Sequence, residues 1–472
     1  MTLKTGNLFL TLSFLALAGC AVGPDYRRPQ VETPAAYKEA QGWKKAEPQD
    51  QAPRGAWWEM YGDPQLNALE QQVALSNQNI RIAEAQYRQA LALLGAARAG
   101  YFPTLSAGLA ANRGQAAAAS GTNLSAAPVG NTDRLSLSAS WEADVWGRIG
   151  RGVESNQASA EASAADLQAA LLSAQATLAQ SYLQLRVNDM EQQLLERTVA
   201  AYEKALQITV NRYQAGVAGR LDVAQAETQL KSAQAQAIDL GVQRTQLEHA
   251  IALLVGKAPA EFNLEANGRL ASVPDIPLGV PSELLERRPD IAAAERRAAT
   301  ANARIGVAQA AFFPALTLAG SAGYQASGFA SLIALPNRFW SLGPALAATL
   351  FDGGARSAQK EQAIAAFDSS VATYRQTVLA GFQEVEDNLS ALRILAEEAR
   401  VQQAAAKSAA ESVTLANNQY LAGTVSYLNV VSAQAASLGA DKSALDIAGR
   451  RLVASVTLLK ALGGDWRSGN AK

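Results

Sequence analysis

The 472-residue sequence holds one cysteine and one histidine, and aromatic residues make up only 6% of it. A single Cys excludes a disulfide within the chain, and a single His, His249, excludes a histidine-based metal cluster. No nucleophile–base pair or metal-ligand set stands out, so the chain is not read as an enzyme and no cofactor is expected. Charge is sparse and balanced. The 41 basic and 42 acidic residues leave a net charge of −1, which gives no reason to expect nucleic acid as a partner. Ala, Gln, Leu and Ser fill the space instead. Stretches such as "SAQATLAQSYLQLRV" (173–187) suit closely packed helices with small contact residues.

The lone cysteine has an informative place. Lys4 precedes a short apolar run, "LFLTLSFLALA" (8–18), and Leu17-Ala18-Gly19-Cys20 follows. The run is too short for a mature membrane helix and has the form of a secretory signal. Residues 1–19 are therefore expected to be a lipoprotein signal peptide, with Cys20 as the lipidated N-terminus; an ordinary signal peptide beside an incidental Cys is the alternative. Ala21 rather than Asp follows, which by resemblance to bacterial lipoproteins favours the outer membrane. A multiply acylated Cys is a firm anchor to lipid, at about 0.8 kcal/mol per buried methylene.

The chain carries a tandem repeat. "NIRIAEAQYRQALALLGAARAGYFPTLS" (79–106) answers "DIAAAERRAATANARIGVAQAAFFPALT" (290–317), with Pro103 and Pro314 in register at 314 − 103 = 211. "VWGRIGR" (145–151) answers "LFDGGAR" (350–356) at an offset of 205, and "NRYQAGVAGRLDVAQA" (211–226) answers "NQYLAGTVSYLNVVSA" (418–433) at 207. Repeat 1 covers 64–256 and repeat 2 covers 281–463, flanked by an N-terminal segment (20–63), a linker (257–280) and a tail (464–472). Each repeat predicts the same layout. A helix (64–101; 281–312) ends at Phe-Pro, two extended segments follow, then a very long helix (about 153–213; about 356–420). A glycine turn (Gly216, Gly219; Gly423) and a shorter helix (222–255; 428–462) close the repeat. Leu171, Leu178 and Leu185 give the first long helix a heptad-like seam. A helix of that length, about 90 Å, cannot bury itself in a compact domain and predicts an extended coiled-coil wall.

The extended segments set the fold class. In "RLSLSASWEADVW" (134–146), Leu135, Leu137, Ala139, Trp141, Ala143 and Val145 alternate with Ser136, Ser138, Ser140, Glu142 and Asp144. Segments 340–351, 103–113 and 314–324 alternate likewise, each with the length of a tilted membrane strand. Phe102, Trp146, Phe313, Tyr324, Trp340 and Phe351 stand near their ends, as interfacial girdles do. A soluble four-stranded sheet with one wet face is the alternative. Four strands cannot close a barrel, and an open edge in lipid leaves backbone groups unpaired. Spanning strands therefore require an oligomer sharing one barrel.

Several stretches then resemble one family, the outer-membrane factors of the TolC/OprM type, and within it the NodT-type efflux lipoproteins. They are "CAVGPDYRRP" (20–29), "WWEMYGDPQLNALEQQVALSNQNI" (57–80), "AFFPALTLAGSAGY" (311–324), "FQEVEDNLSAL" (382–392), "QYLAGTVSYLNVVSAQ" (419–434) and "LLKALGGDW" (458–466). The resemblance implies an α+β homotrimer whose shared 12-stranded β-barrel continues into a long α-helical coiled-coil barrel. It implies that residues 30–63, 257–280 and 463–472 form a belt around the tunnel. It also implies an outer-membrane exit duct of a tripartite efflux pump, with a periplasmic adaptor and an inner-membrane transporter of the RND type as partners. A type I protein secretion outlet and a pore-less periplasmic scaffold lipoprotein are the competing functions.

The resemblance further implies a gate at the periplasmic end, near the glycine turns that form the adaptor-facing tip. By position, Asp222 and Tyr420 match the family's linking pair, and Leu428 matches its apolar ring. Asn429 and Ser432 stand where relatives often carry Asp, so a strong acidic, cation-binding ring is not expected there. Gln419 and Val425 replace an Arg of relatives, which weakens the charged bridge. Each has a plainer reading: Asp222 as a first-turn carboxylate, Tyr420 and Tyr213 as helix-end packing, Leu428 as core. Glu142, Asp144 and Arg148 are placed near the barrel–tunnel junction without an assigned role, and the charge cluster at 283–297 reads as a solvated face or structural pairing, with adaptor contact as the alternative.

Overall fold

The computed structural model describes residues 21–39, 56–115, 129–276 and 287–464. Cys20, the signal segment, the C-terminal tail and part of the 257–280 linker lie outside the described residues. In chain order the described elements include α1 (Pro64–Ser76), α2 (Gln78–Ala99), β1 (Thr104–Gln115), β2 (Val129–Ala143), α3 (Arg148–Gln214) and α4 (Arg220–Leu254). Then follow α5 (Pro289–Ala310), β3 (Ala315–Ala326), β4 (Arg338–Ala347), α6 (Ala355–Leu421) and α7 (Tyr427–Ala461). The protein is thus α+β, with a single four-stranded sheet among the described residues.

The tandem repeat is written in element lengths. The long helices α3 and α6 have 67 residues each, α4 and α7 have 35 each, α2 and α5 have 22 each, and β1 and β3 have 12 each. Only the second strands differ, with 15 residues in β2 and 10 in β4. The offset is 315 − 104 = 211 up to the first strands and 355 − 148 = 207 from the long helices onward. The 205 offset expected at 145–151 and 350–356 is therefore two residues short. The glycine turns align as Gly147 (φ 75) with Gly354 (φ 93).

Further boundaries differ from expectation: the strand expected over 134–146 runs Val129–Ala143, and the first long helix starts at Arg148 rather than about 153. The helix expected over 64–101 breaks at Asn77, whose extended backbone (φ −65, ψ 124) ends α1. Its side chain accepts hydrogen bonds from the backbone N–H of Asn79 (2.9 Å) and Ile80 (3.3 Å), so it caps α2, and it donates to the Leu254 carbonyl at 2.8 Å. Segment 340–351 leaves the sheet after Ala347, because Asp352 must start the turn into α6. Its carboxylate accepts from Gly354 N–H (3.0 Å) and Arg356 N–H (3.2 Å).

The sheet runs β1-β2-β3-β4, antiparallel throughout. Its register puts Leu105, Leu109, Leu135, Leu137, Trp141, Leu318, Trp340, Leu342 and Leu346 on one face. Every one of them is exposed. The other face carries Ser106, Ser136, Ser138, Ser321 and Ser341, with the last two hydroxyls 2.8 Å apart. A Cβ at Gly323 would run into the backbone of Leu135 and Ser136, so glycine there sets how closely β2 and β3 approach. Among the described residues β1 and β4 pair on one side only and remain open edges.

The chain forms two compact units, each drawn from both repeats: 1–30, 87–163 and 294–374; and 31–86, 164–293 and 375–472. In the first, the N-terminal strap is pinned to the base of the sheet. Val22 N–H bonds the Trp146 carbonyl at 3.1 Å, and Ala21 packs against Gly147. Arg151 reaches the carbonyls of Val22 and Gly23 and the Asp25 carboxylate at 2.9 Å. In the second, Asp189 is buried between Arg186 (2.7 Å) and Arg244 (2.9 Å), and accepts from Asn267 N–H. Arg244 also donates to the Leu264 carbonyl at 2.6 Å. This network, buried and fully paired on Asp189, fixes the 264–267 segment against α3 and α4. The charge cluster also pairs structurally: Arg288 holds Asp290 (2.6 Å) and Glu384 (2.7 Å), and Glu295 accepts from Tyr26 at 2.6 Å.

Candidate functional site

The two glycine turns lie together at one end of the second unit. The first joins α3 to α4. Gly216 takes φ 73, its N–H bonds the Tyr213 carbonyl (2.9 Å), and Val217 N–H bonds the Arg212 carbonyl (2.9 Å). The second joins α6 to α7 in the same way. Gly423 takes φ 74, its N–H bonds the Tyr420 carbonyl (3.0 Å), and Thr424 N–H bonds the Gln419 carbonyl (3.0 Å). Both are glycine C-caps that satisfy the last carbonyls of the long helices. Gly219 has another role. Its φ of −82 makes it the extended N-cap of α4, matched by Ser426 before α7.

Behind the turns lies a small core of Ala226, Tyr420, Tyr427 and Val430, with Leu206, Ala416, Val425 and Val431 packed against it. Tyr420 meets Tyr427 edge-on, with ring centroids 5.1 Å apart. The guanidinium of Arg212 sits 4.9 Å above the Tyr420 ring and donates to the Leu421 carbonyl at 3.1 Å. The end of α3 is thereby clasped to the end of α6. Burial pushes the Tyr427 hydroxyl up to about 12, offset by a hydrogen bond with Thr209 and reinforced by Tyr420, Tyr202 and Asp222.

The repeats are equivalent in sequence here but not in environment. Tyr213 is 45% exposed, whereas its counterpart Tyr420 is 6% exposed. Arg212 stands at the repeat position of Gln419, since 419 − 212 = 207, and Asp222 at that of Asn429. Leu428, Asn429 and Ser432 all lie exposed on α7, and Leu221, the repeat mate of Leu428, is exposed on α4. Asp222 is half-buried in the first turn of α4. No hydrogen bond joins it to Tyr420, whose Oη finds no partner among the described residues. The expected linking pair is not hydrogen-bonded within the chain, and the observed clasp is that of Arg212 on Tyr420 and the Leu421 carbonyl. Sequence reasoning passed over Arg212; aligning "NRYQAG" with "NQYLAG" places it opposite Gln419 and was the available signal.

At the base of the sheet, Asp144 caps α3, accepting from Ile149 N–H (2.8 Å) and Gly150 N–H (2.7 Å). Arg148 grips Glu142 with two bonds of 2.9 and 2.6 Å. These three residues build the strand-to-helix turn. Trp146 stacks on Phe313 at 4.7 Å and donates to the Pro314 carbonyl at 2.8 Å.

Residues 69–257 and 280–464 match the outer membrane efflux protein family. The pyoverdine export outer membrane protein OpmQ of Pseudomonas aeruginosa is 32% identical over 98% of this chain and 97% of its own length. Among solved structures, the outer-membrane channel OprN superposes with a TM-score of 0.86 at 30% identity, over 94% of this chain and 99% of that one. The open state of the Neisseria gonorrhoeae MtrE outer membrane channel superposes with a TM-score of 0.82 at 27% identity, over 96% of this chain and 100% of that one. The open-edged sheet, the duplicated long helices and these similarities agree: the chain belongs to the outer membrane efflux protein family, whose members are efflux channels of the outer membrane.

Proposed function

We propose that three copies of the chain close one barrel of 12 strands in the outer membrane. Each supplies the four-stranded sheet, and the helices extend the conduit into the periplasm. The observation that carries this reading is the sheet itself. Its apolar face is bare, its opposite face is lined by small hydroxyls, and both edges are open. In lipid each unpaired edge group costs several kcal/mol, and closure through β1 and β4 of neighbouring copies removes that cost. The homotrimer is then the passive outlet of a tripartite efflux pump, joined by a periplasmic adaptor to an inner-membrane transporter of the RND type. It carries small molecules, and the transporter selects them. Cys20 carries the covalent lipid. The strap supports this, because Ala21 sits beside Gly147 at the sheet's helical end, where an acyl chain on the preceding residue meets the inner leaflet.

The turns form the periplasmic gate. Arg212 and Tyr420 clasp the two long helices, Asp222 stands in the first turn of α4, and Leu428, Asn429 and Ser432 present an exposed face to the lumen. The adaptor engages the tips at Gly216, Gly219 and Gly423 and favours the splayed arrangement. Two measurements on full-length protein purified in detergent test the proposal. Native mass spectrometry should show a trimer, and the double variant Asp222→Ala/Arg212→Ala should raise single-channel conductance in planar bilayers. A monomer without conductance defeats the conduit; a trimer with unchanged conductance removes these residues from the gate.

A further inference from the structure

The hydroxyl-lined face of the sheet is almost free of charge. By register its residues are Ser, Thr, Gly, Ala, Asn and Gln, apart from Phe339 and two ionisable groups, Arg134 and Glu142. Glu142 is taken by Arg148 through two hydrogen bonds at the helical end of β2. It stands 142 − 134 = 8 residues from Arg134, roughly 26 Å along the strand, too far to neutralise it. Arg134 is exposed and makes no ion pair among the described residues. Its guanidinium lies 4.6 Å from the centroid of the Phe339 ring. Arg134 pairs with Gln325, and Phe339 with Gly323, so the side chain crosses from β2 to β4 over a glycine that leaves the way clear. The ring face holds the cation against the wall of the sheet. Asp133, Arg113 and Arg338 fall on the opposite face. The outer hairpin segments, 114–132 and 325–337, contain no charged residue. Arg134 is therefore the one uncompensated charge that the strands place on this face.

We propose that Arg134 is a charge filter of the conduit: one guanidinium from each of three copies forms a basic ring toward the outer end of the bore, and the ring favours anionic solutes. The proposal rests on the barrel reading, which turns the hydroxyl-lined face inward. A ring of arginines on a neutral wall raises the local concentration of anions and lowers that of cations. Stacking on Phe339 keeps each side chain flat to the wall, so the ring adds charge without closing the bore. The transporter still chooses the cargo; the ring sets which sign of charge leaves with less resistance.

Reversal potentials of the full-length protein in planar bilayers, under a potassium chloride gradient, test the filter. At about 0.01 M salt the Debye length is about 30 Å and the field of the ring reaches across the bore, whereas at about 1 M it is only about 3 Å. At low salt Arg134→Ser should lower the chloride-to-potassium permeability ratio about twofold, Arg134→Glu should lower it further, and Arg134→Lys should keep it. These differences should fade at about 1 M salt. Serine continues the lining set by Ser136 and Ser138, so Arg134→Ser leaves the sheet intact, and size-exclusion elution of each variant verifies assembly. Should Arg134→Glu misassemble, Arg134→Ser decides. A parent protein that is monomeric and does not conduct brings down the barrel reading and the ring with it. A conducting trimer in which Arg134→Ser keeps the parental ratio overturns the ring alone. So does a shift that Arg134→Lys shares, or one that persists undiminished at high salt.

Discussion

Single residues here carry more than their type suggests. Arg212 donates a hydrogen bond across the tips and lies over an aromatic ring, contributions of about 1 kcal/mol each. Arg212→Ala should therefore raise conductance, whereas Tyr420→Phe alone should change stability little, because the lost hydroxyl bonds nothing in the chain. Thermal melts and bilayer recordings of the two variants check the contrast. Glu70 gives a second prediction. It is fully buried, both its oxygens lack partners among the described residues, and burial pushes its carboxyl up to about 9. A group raised in the folded state stabilises most below its ordinary range and loses that contribution as pH climbs toward 9. Glu70→Gln should thus melt at a higher temperature than the parent at pH 8 and nearly with it at pH 4. Circular dichroism at the two pH values measures this; a constant difference would refute it. Glu70 was invisible in the sequence because nothing in "ALEQQV" marks a buried acid on α1.

Among the elements, the strands were the most legible and the helix breaks the least. Strict alternation in "LSLSASW" needs no tertiary information, and the register confirms the faces it assigns. Asn77 was hidden because apolar periodicity runs on through it; only its side-chain bonds to two backbone N–H groups betray the cap. The two faces of β4 offer a paired test. Leu342→Arg puts a charge on the bare apolar face and should cost about 2–4 kcal/mol at mid-membrane. It should sharply reduce assembled protein in the outer-membrane fraction. Ser341→Arg, one residue away on the hydroxyl-lined face, should leave assembly intact. Equal yields of the two would contradict the assignment of the faces. The Asp144 and Asp352 caps were equally readable in principle, as acids shortly before long helices, yet Glu142, Asp144 and Arg148 remained without roles until the turn geometry was seen.

For the whole molecule, the duplication was plain from Phe-Pro, glycine and tyrosine landmarks, and the α+β class followed from the alternating segments set between the helices. Less legible was the inequality of the copies. Tyr213 and Tyr420 share a position but not an environment, since Arg212 has no arginine mate and only Tyr420 meets a second tyrosine, Tyr427, where repeat 1 offers Arg220. Sequence pattern records which residues recur; burial depends on what faces them.

The matched element lengths have a genetic consequence. One codon gained inside α3 would turn its seam by about 100° and leave α6 unaltered. Such a change survives only with a compensating one 207 residues away. The outer hairpins alone escape this bond, and there the copies already differ: the offset falls from 211 to 207 across them. Insertions and deletions among natural variants should therefore accumulate at those distal loops, while the inherited spacing of the long coils stays frozen.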